Sequence, residues 1–371
     1  MLISSTYLCP VRGVDGLEPP EPTRLGRAAK TAKILGLNRL MLPVLEEALV
    51  GSSRSKVGFL NELIRALDQL DEAGLPAWPV APAQRIMGLH WLPPYLVRAL
   101  QDPKADPVFV DGRIRNLRAF EWWEEPSIIE KRVRAFGELA DALAGHPALA
   151  GWLIFNRFLE WSRPYLEQAD VVLKAFMAEI RERDETGTIF MGLGWPELLD
   201  PAIAQALARH VDGAYISGGE RKPPGLITRD GLPGELELAS YLATLAGWLF
   251  ERPTEIEIGW GMLDSARGAE ETIEGFRKLA SQGVAGANWI NLIDPEPSLH
   301  RHPPWALQPG LERIGLLDRG LEPKEQVETW LEHIESIEPR DDVYDFIDLS
   351  KREYLDDPHT HLSRLWEHFR E

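Results

Sequence analysis

The sequence predicts an α/β chain and, within that class, a (β/α)8 TIM barrel. Three observations carry this reading. Eight short apolar runs recur between residues 2 and 292, and longer segments with helical periodicity lie between them. Strand–helix–strand alternation implies parallel pairing through right-handed crossovers. Eight such units are the number that closes a barrel. No G-x-G-x-x-G turn follows the first run, which argues against an open dinucleotide-binding sheet.

The eight runs are LISSTYL (2–8), NRLMLPV (38–44), AWPVAP (77–82), AGWLIF (150–155), TIFMGL (188–193), DGAYIS (212–217), TEIEIG (254–259) and AGANWINL (285–292). The clearest helical segment is VGFLNELIRALDQLDEAG. It sets Phe59, Leu60, Leu63, Ile64, Leu67 and Leu70 on one face and stops at Gly74. PSIIEKRVRAFGELADALAG begins at Pro126 and stops at Gly145. LEQADVVLKAFMAEIRERD, ELELASYLATLAGWLF and GAEETIEGFRKLASQG follow the fourth, sixth and seventh runs. The last of these is acidic at its start and basic later, as the helix dipole favours.

Two segments stand outside the repeat. Residues 83–125 are too long for an ordinary strand–helix connection. Following the third run, they are expected to cap the barrel mouth, and they carry His90, Trp91, Trp122, Trp123, Glu124 and Glu125. Residues 322–371 form an acidic tail with two helical patterns, EPKEQVETWLEHIESI and DDPHTHLSRLWEHF. The expected organisation is a barrel over 1–321, with 83–125 inserted, and a helical extension over 322–371.

The net charge of −18 repels a polyanion, so no nucleic-acid partner is expected. Cys9 is the single cysteine, which excludes an internal disulfide and fits a reducing compartment. MLISSTYLCPVRG lacks a basic leader and reads as a strand, not a signal peptide. No run of 18 apolar residues is present, so no membrane span is expected. The cytoplasm is the expected location. His300 with His302, and His359 with His361, have H-x-H spacing, but no third ligand motif accompanies them. Neither a metal nor a cofactor is expected. Cys9 has no evident His partner to make it a nucleophile.

In a parallel barrel the reacting groups come from strand C-terminal ends and the loops after them. That rule selects Asn156, Arg157 and Glu160 after the fourth run, and Gly194 and Trp195 after the fifth. It selects Tyr215 and Glu220 around the sixth, Glu257 on the seventh, and Trp289, Asn291 and Asp294 around the eighth. Asp294, just before Pro295, also suits an ordinary turn. Glu255 and Glu257 are two apart, so they share one face of an extended strand. A carboxylate inside a barrel is costly unless it is paired or used. Ion pairing and chemistry are both open to these two residues. The 13 Trp residues divide between core filling and stacking on sugars.

The stretch Glu257-Ile258-Gly259-Trp260 resembles the nucleophile strand of clan A glycoside hydrolases, the cellulase-like barrels. GHPALAGWLIFN, ending at Asn156, is similar to the lead-in of their fourth strand, which ends in Asn-Glu. GVAGANWINLIDPEP, with Trp289, is similar to their eighth. The likeness spans roughly residues 1–320. It implies a glycosidase-like barrel that binds a carbohydrate or glycoside at its C-terminal mouth. In the retaining form, Glu257 is the nucleophile and Asn156 bonds the sugar 2-hydroxyl. Arg157, His90, Trp91, Trp195, Tyr215 and Trp289 are the further candidates for substrate contact.

One position departs from the family. Arg157 stands where the acid/base glutamate belongs, and a guanidinium stays protonated and cannot shuttle a proton near neutral pH. Three explanations follow: Glu160 supplies the acid, Glu124 or Glu125 of the cap supplies it, or the acid is lost and the protein binds without turnover. In the last case Arg157 would pair with Glu257 or receive an anionic ligand. An arginine beside Glu257 would hold it ionised in any of these. The oligomeric state is not encoded in any of these features.

Overall fold

The eight apolar runs all become strands of one closed parallel barrel. We label them β1 (Leu2–Thr6), β2 (Arg39–Pro43), β3 (Ala77–Ala81), β4 (Gly151–Ile154), β5 (Thr188–Leu193), β6 (Gly213–Ile216), β7 (Thr254–Ile258) and β8 (Gly286–Trp289). Each pairs with its sequence neighbours, and β8 returns to β1. The structure is a computed structural model. It describes the chain except for residues 9–20, 51–52, 158–163, 218–231, 260–268, 308–309, 326, 328–332, 334–336 and 341–342.

Side-chain alternation along the strands separates two cores. Leu40 and Leu42, Trp152 and Ile154, Ile256 and Ile258, and Ala287 and Trp289 face outward and pack with helix residues such as Leu63, Phe136 and Leu173. Met41, Trp78, Val80, Leu153, Phe190, Tyr215 and Ile290 face the barrel axis and form a separate cluster. A period-two side-chain pattern on a closed sheet produces this division. Inside, large residues are matched by glycine. A Cβ on Gly213 would come within 2.2 Å of the Phe190 ring, and one on Gly151 within 2.6 Å of Trp78. Those two rings meet edge to face at 5.0 Å.

The helices Ser53–Glu72, Pro126–Leu143, Leu166–Arg181, Leu232–Phe250 and Ala269–Ser281 occupy the segments read as helical. Two more, Pro22–Ile34 and Pro201–His210, fill the connections after β1 and β5. Pro22–Ile34 is rich in Lys and Arg and has a weak apolar stripe, with alanines supplying most of its buried face. Its periodicity is therefore faint in sequence.

The segment after β3 contains a five-stranded sheet of short strands, in the order 85–86, 89–91, 107–110, 113–119, 97–101. Its Ile86, Met87, Leu89, Trp91 and Phe109 join the core of the barrel interior. A buried ion pair of the barrel wall anchors this insertion through Tyr95 and Trp122. Arg132 of helix Pro126–Leu143 bonds both oxygens of Glu46, at 2.5 and 2.6 Å. The Tyr95 hydroxyl donates to the same carboxylate, and Trp122 stacks on the guanidinium. The cap is thereby fixed over the C-terminal ends of the strands.

Beyond β8, helices Lys351–Asp356 and Pro358–Arg370 pack on the outside of the barrel. The Tyr354 hydroxyl donates to the Leu198 carbonyl, and the Tyr241 hydroxyl to that of Leu362. The segment EPKEQVETWLEHIESI lies largely outside the described residues. No helix among the described residues is long and apolar enough to cross a membrane.

Candidate active site

The axis of the barrel carries two glutamates at different depths. Glu255, at the floor, is almost fully buried and ion-paired with Arg39. The Arg39 guanidinium also lies 3.7 Å over the Trp78 ring. Glu257, two residues further along the same face, is only partly buried and opens into a cavity under the cap.

That cavity brings together Glu257, Asn156 and Tyr215, with Thr6, Arg85, Met87 and Ile290 around them. The Tyr215 hydroxyl donates to Glu257 at 3.4 Å. It accepts from the Asn288 amide at 2.9 Å, and Asn288 also donates to Thr6 and accepts from Ser4. Burial first, and then the charge of Glu257, push the Tyr215 phenol well above its ordinary range. The phenol therefore stays protonated and acts as a fixed donor to the carboxylate.

Asn156 is presented by an unusual turn. Phe155 and Arg157 on either side both have positive φ, 43° and 71°. Non-glycine residues adopt this region only when their surroundings enforce it, and such positions gather at functional sites. Here the Arg157 amide donates to the Gly192 carbonyl at 3.1 Å, which extends the β4–β5 ladder past the turn. A side chain at position 192 would collide with Asn156, since its Cβ would lie 2.5 Å from the Asn156 Cα.

The Asn156 side chain is engaged within the protein. Its amide donates to the Arg85 carbonyl at 2.9 Å, and its oxygen accepts from Ser217 at 3.2 Å. The cavity itself measures only about 20 Å³, room for about one water molecule. The turn Arg85–Leu89, with Met87 and Gly88 in left-handed backbone, fills the space above Glu257.

Arg157 is buried, and its guanidinium points to the wall behind Asn156. It donates to the Ser217 carbonyl at 3.0 Å and packs against Gly194. Glu197, also fully buried, accepts from the Gly194 amide at 2.8 Å on the same side.

The other candidates occupy different places. His90 and Trp91 are buried in the cap sheet, where Trp91 packs on Phe109 at 4.2 Å. Trp195 begins the short helix after β5 and packs against the outer core. Trp289 faces outward from β8, and its indole donates to the Ile314 carbonyl. Trp122 and Trp123 stack on each other at 3.6 Å beneath the cap. Asp294 ties the loop after β8 to Lys324 at 2.9 Å, and burial raises its pKa despite that lysine. Glu160, Glu220, Trp260 and Cys9 lie outside the described residues. Among the described residues, no three His, Cys, Asp or Glu side chains converge to hold a metal.

Arg39, Arg85, Ser217 and Asn288 were not singled out by sequence reasoning. Asn288 carried a usable signal. It is a polar residue at an inward position of an apolar strand, in phase with Ile290, and a buried polar group is more informative than a buried apolar one. Arg85 carried none, because its place depends on how the cap folds back.

No family model matches the chain, and no curated protein matches it in sequence. Solved structures do match. An exo-beta-1,4-mannosidase from Opitutaceae bacterium strain TAV5 is 18% identical with a TM-score of 0.66, over 91% of this chain and 59% of its own. A GH5_18 protein from Streptomyces cattleya in complex with GlcNAc is 16% identical with a TM-score of 0.69, over 91% and 82%. A beta-galactosidase from the psychrophilic Marinomonas ef1 is 14% identical with a TM-score of 0.61, over 96% and 62%. The chain thus spans about three fifths of the mannosidase and of the galactosidase. What it shares with these glycoside hydrolases is the (β/α)8 barrel fold, and the resemblance read from strands four, seven and eight holds at that level.

Proposed function

We propose that this protein binds a carbohydrate or glycoside at the barrel mouth, with Glu257 facing the anomeric carbon and Asn156 meeting the 2-hydroxyl. The carrying observation is the convergence of Glu257, its Tyr215 donor and Asn156 in one cavity at the strand C-terminal ends. The fold neighbours support a β-mannoside or β-galactoside as the first ligand class to try.

Residue 157 supplies no proton in this reading. A retaining mechanism needs a second carboxyl about 5–5.5 Å from the nucleophile. Glu257 is the only carboxylate among the described residues lining the cavity, so the catalytic form of the proposal assigns the acid to Glu160. The non-catalytic form is favoured by the small cavity and by the engagement of Asn156 with Arg85. In either form a sugar enters only after the Arg85–Leu89 turn moves.

Aryl glycosides of graded leaving-group ability separate these forms. Dinitrophenolate departs without protonation, so a dinitrophenyl β-mannoside or β-galactoside requires only the nucleophile. The expected result is phenolate release by the wild type and a glycosyl mass adduct lost in Glu257→Gln. If Glu160 is the acid, Glu160→Gln slows poor leaving groups far more than dinitrophenolate. Binding of free sugar by calorimetry with no release from any aryl glycoside selects the non-catalytic form. Phenolate release undiminished in Glu257→Gln would remove the nucleophile assignment.

A further inference from the structure

A groove of about 690 Å³ lies at the opposite, N-terminal end of the barrel, within the range of roughly 300–1,000 Å³ usual for small-molecule sites. Helix Leu232–Phe250 provides one wall through Trp248, and the residues before β7 and β8 form the base. The C-terminal tail provides the other wall through Arg340 and Tyr344. The tail is held in place there. The Arg340 amide donates to the Ala280 carbonyl at 2.9 Å. A Cβ on Gly283 would come within 2.7 Å of Val343, so tail and barrel are in direct contact.

The charge in this groove runs against that of the chain. Arg252, Arg340 and Lys351 line it, with Glu251 as the single carboxylate among the described residues. Lys351 is ion-paired with Glu251. Arg252 and Arg340 make no ion pair among the described residues. A protein of net charge −18 has abundant carboxylates with which to neutralise two guanidinium groups, yet these two arginines line one concavity together with Trp248 and Tyr344.

We propose that this groove is a binding site for a small organic anion, a phosphate- or carboxylate-bearing molecule with a flat apolar part. Arg252 and Arg340 hold the anionic group, because a guanidinium offers the planar donor fork that matches either oxyanion. Trp248 and Tyr344 receive the flat part. One arginine comes from the barrel and the other from the tail, so the ligand bridges the two. Occupancy stabilises the docked tail by mass action. The site is independent of the barrel mouth and of any activity there.

Calorimetric titration of the full chain at constant ionic strength tests this, with inorganic phosphate, phenyl phosphate and benzoate as probes. Saturable one-to-one binding is expected for phenyl phosphate or benzoate, tighter than for inorganic phosphate, and the preferred probe identifies the anionic group. Arg252→Gln and Arg340→Gln should each weaken it tenfold or more, while Glu251→Gln should strengthen it several-fold. Arg277→Gln, at an exposed arginine on helix Ala269–Ser281, should leave it unchanged. Circular dichroism reports whether each variant is folded. Absence of saturable binding by the wild type, or an equal loss in Arg277→Gln, overturns the proposal.

Discussion

Glu255 and Glu257 are the same residue type on the same face of the same strand, two positions apart, and they sit in opposite environments. At the floor, Glu255 is closed in by Arg39, and Trp78 stacks on that guanidinium. At the mouth, Glu257 faces a cavity with a protonated phenol as donor. The floor neutralises its charge and fills its volume. The mouth keeps a carboxylate beside a small empty space. Depth along a barrel strand therefore separates a carboxylate closed in by an ion pair from one that opens into a cavity, where residue type and facing do not.

Four experiments break or sharpen that comparison. The largest effect belongs to the floor. Glu255→Leu strands a buried guanidinium and should cost about 3–5 kcal/mol, measured by urea unfolding, whereas the double change Arg39→Met, Glu255→Leu should recover much of it. A double variant as unstable as the single one would show that the pair is more than a plug. Next comes the turn over the mouth. Met87→Ala removes a buried side chain, at a cost of about 2–5 kcal/mol, and enlarges the cavity above Glu257. Sugar affinity should rise as stability falls, and a parallel loss of both would refute the view that this turn occupies the ligand's place.

The third effect is alkaline. An unfolded tyrosine ionises near pH 10, while buried Tyr215 keeps its proton to higher pH. Above about pH 10 the unfolded state therefore binds fewer protons than the native state, and stability falls as pH rises. Burial likewise raises Tyr95, Tyr241 and Tyr354. Each such tyrosine contributes a slope of about 1.4 kcal/mol per pH unit in this window. Unfolding of Tyr215→Phe measured from about pH 9 to 11 should show one tyrosine's share less. The smallest effect is that of Glu257→Gln on stability, expected within about 1 kcal/mol because the mouth does not depend on that charge for packing. A loss as large as that of Glu255→Leu would place Glu257 with the floor.

The strands were legible because each is an apolar run bounded by turn residues, as AGWLIF and TIFMGL show, and because a closed parallel barrel buries both faces of each strand. The cap was legible as an excess of length after β3, but its sheet was not. Its strands are two to seven residues long, and RIRNLRA breaks the apolar–polar alternation at Arg115-Asn116 and buries only Leu117. Asn156, Tyr215 and Glu257 were legible as polar residues at or near strand C-terminal ends. Trp289 was legible as a strand-end aromatic, but its phase in β8 turns it outward.

The sequence by itself determined the eight-strand alternation, the shared facing of Glu255 and Glu257, and the arginine that follows Asn156. Periodicity and neighbour identity are local properties of a chain. Tertiary structure alone decided that Arg39 neutralises Glu255, that the Asn156 amide bonds the Arg85 carbonyl, and that the Arg157 guanidinium lies behind the mouth against Ser217. Those contacts join residues 216, 71 and 60 positions apart. They arise only when barrel closure and the folding back of the cap bring distant side chains to one depth, and no local pattern encodes that depth.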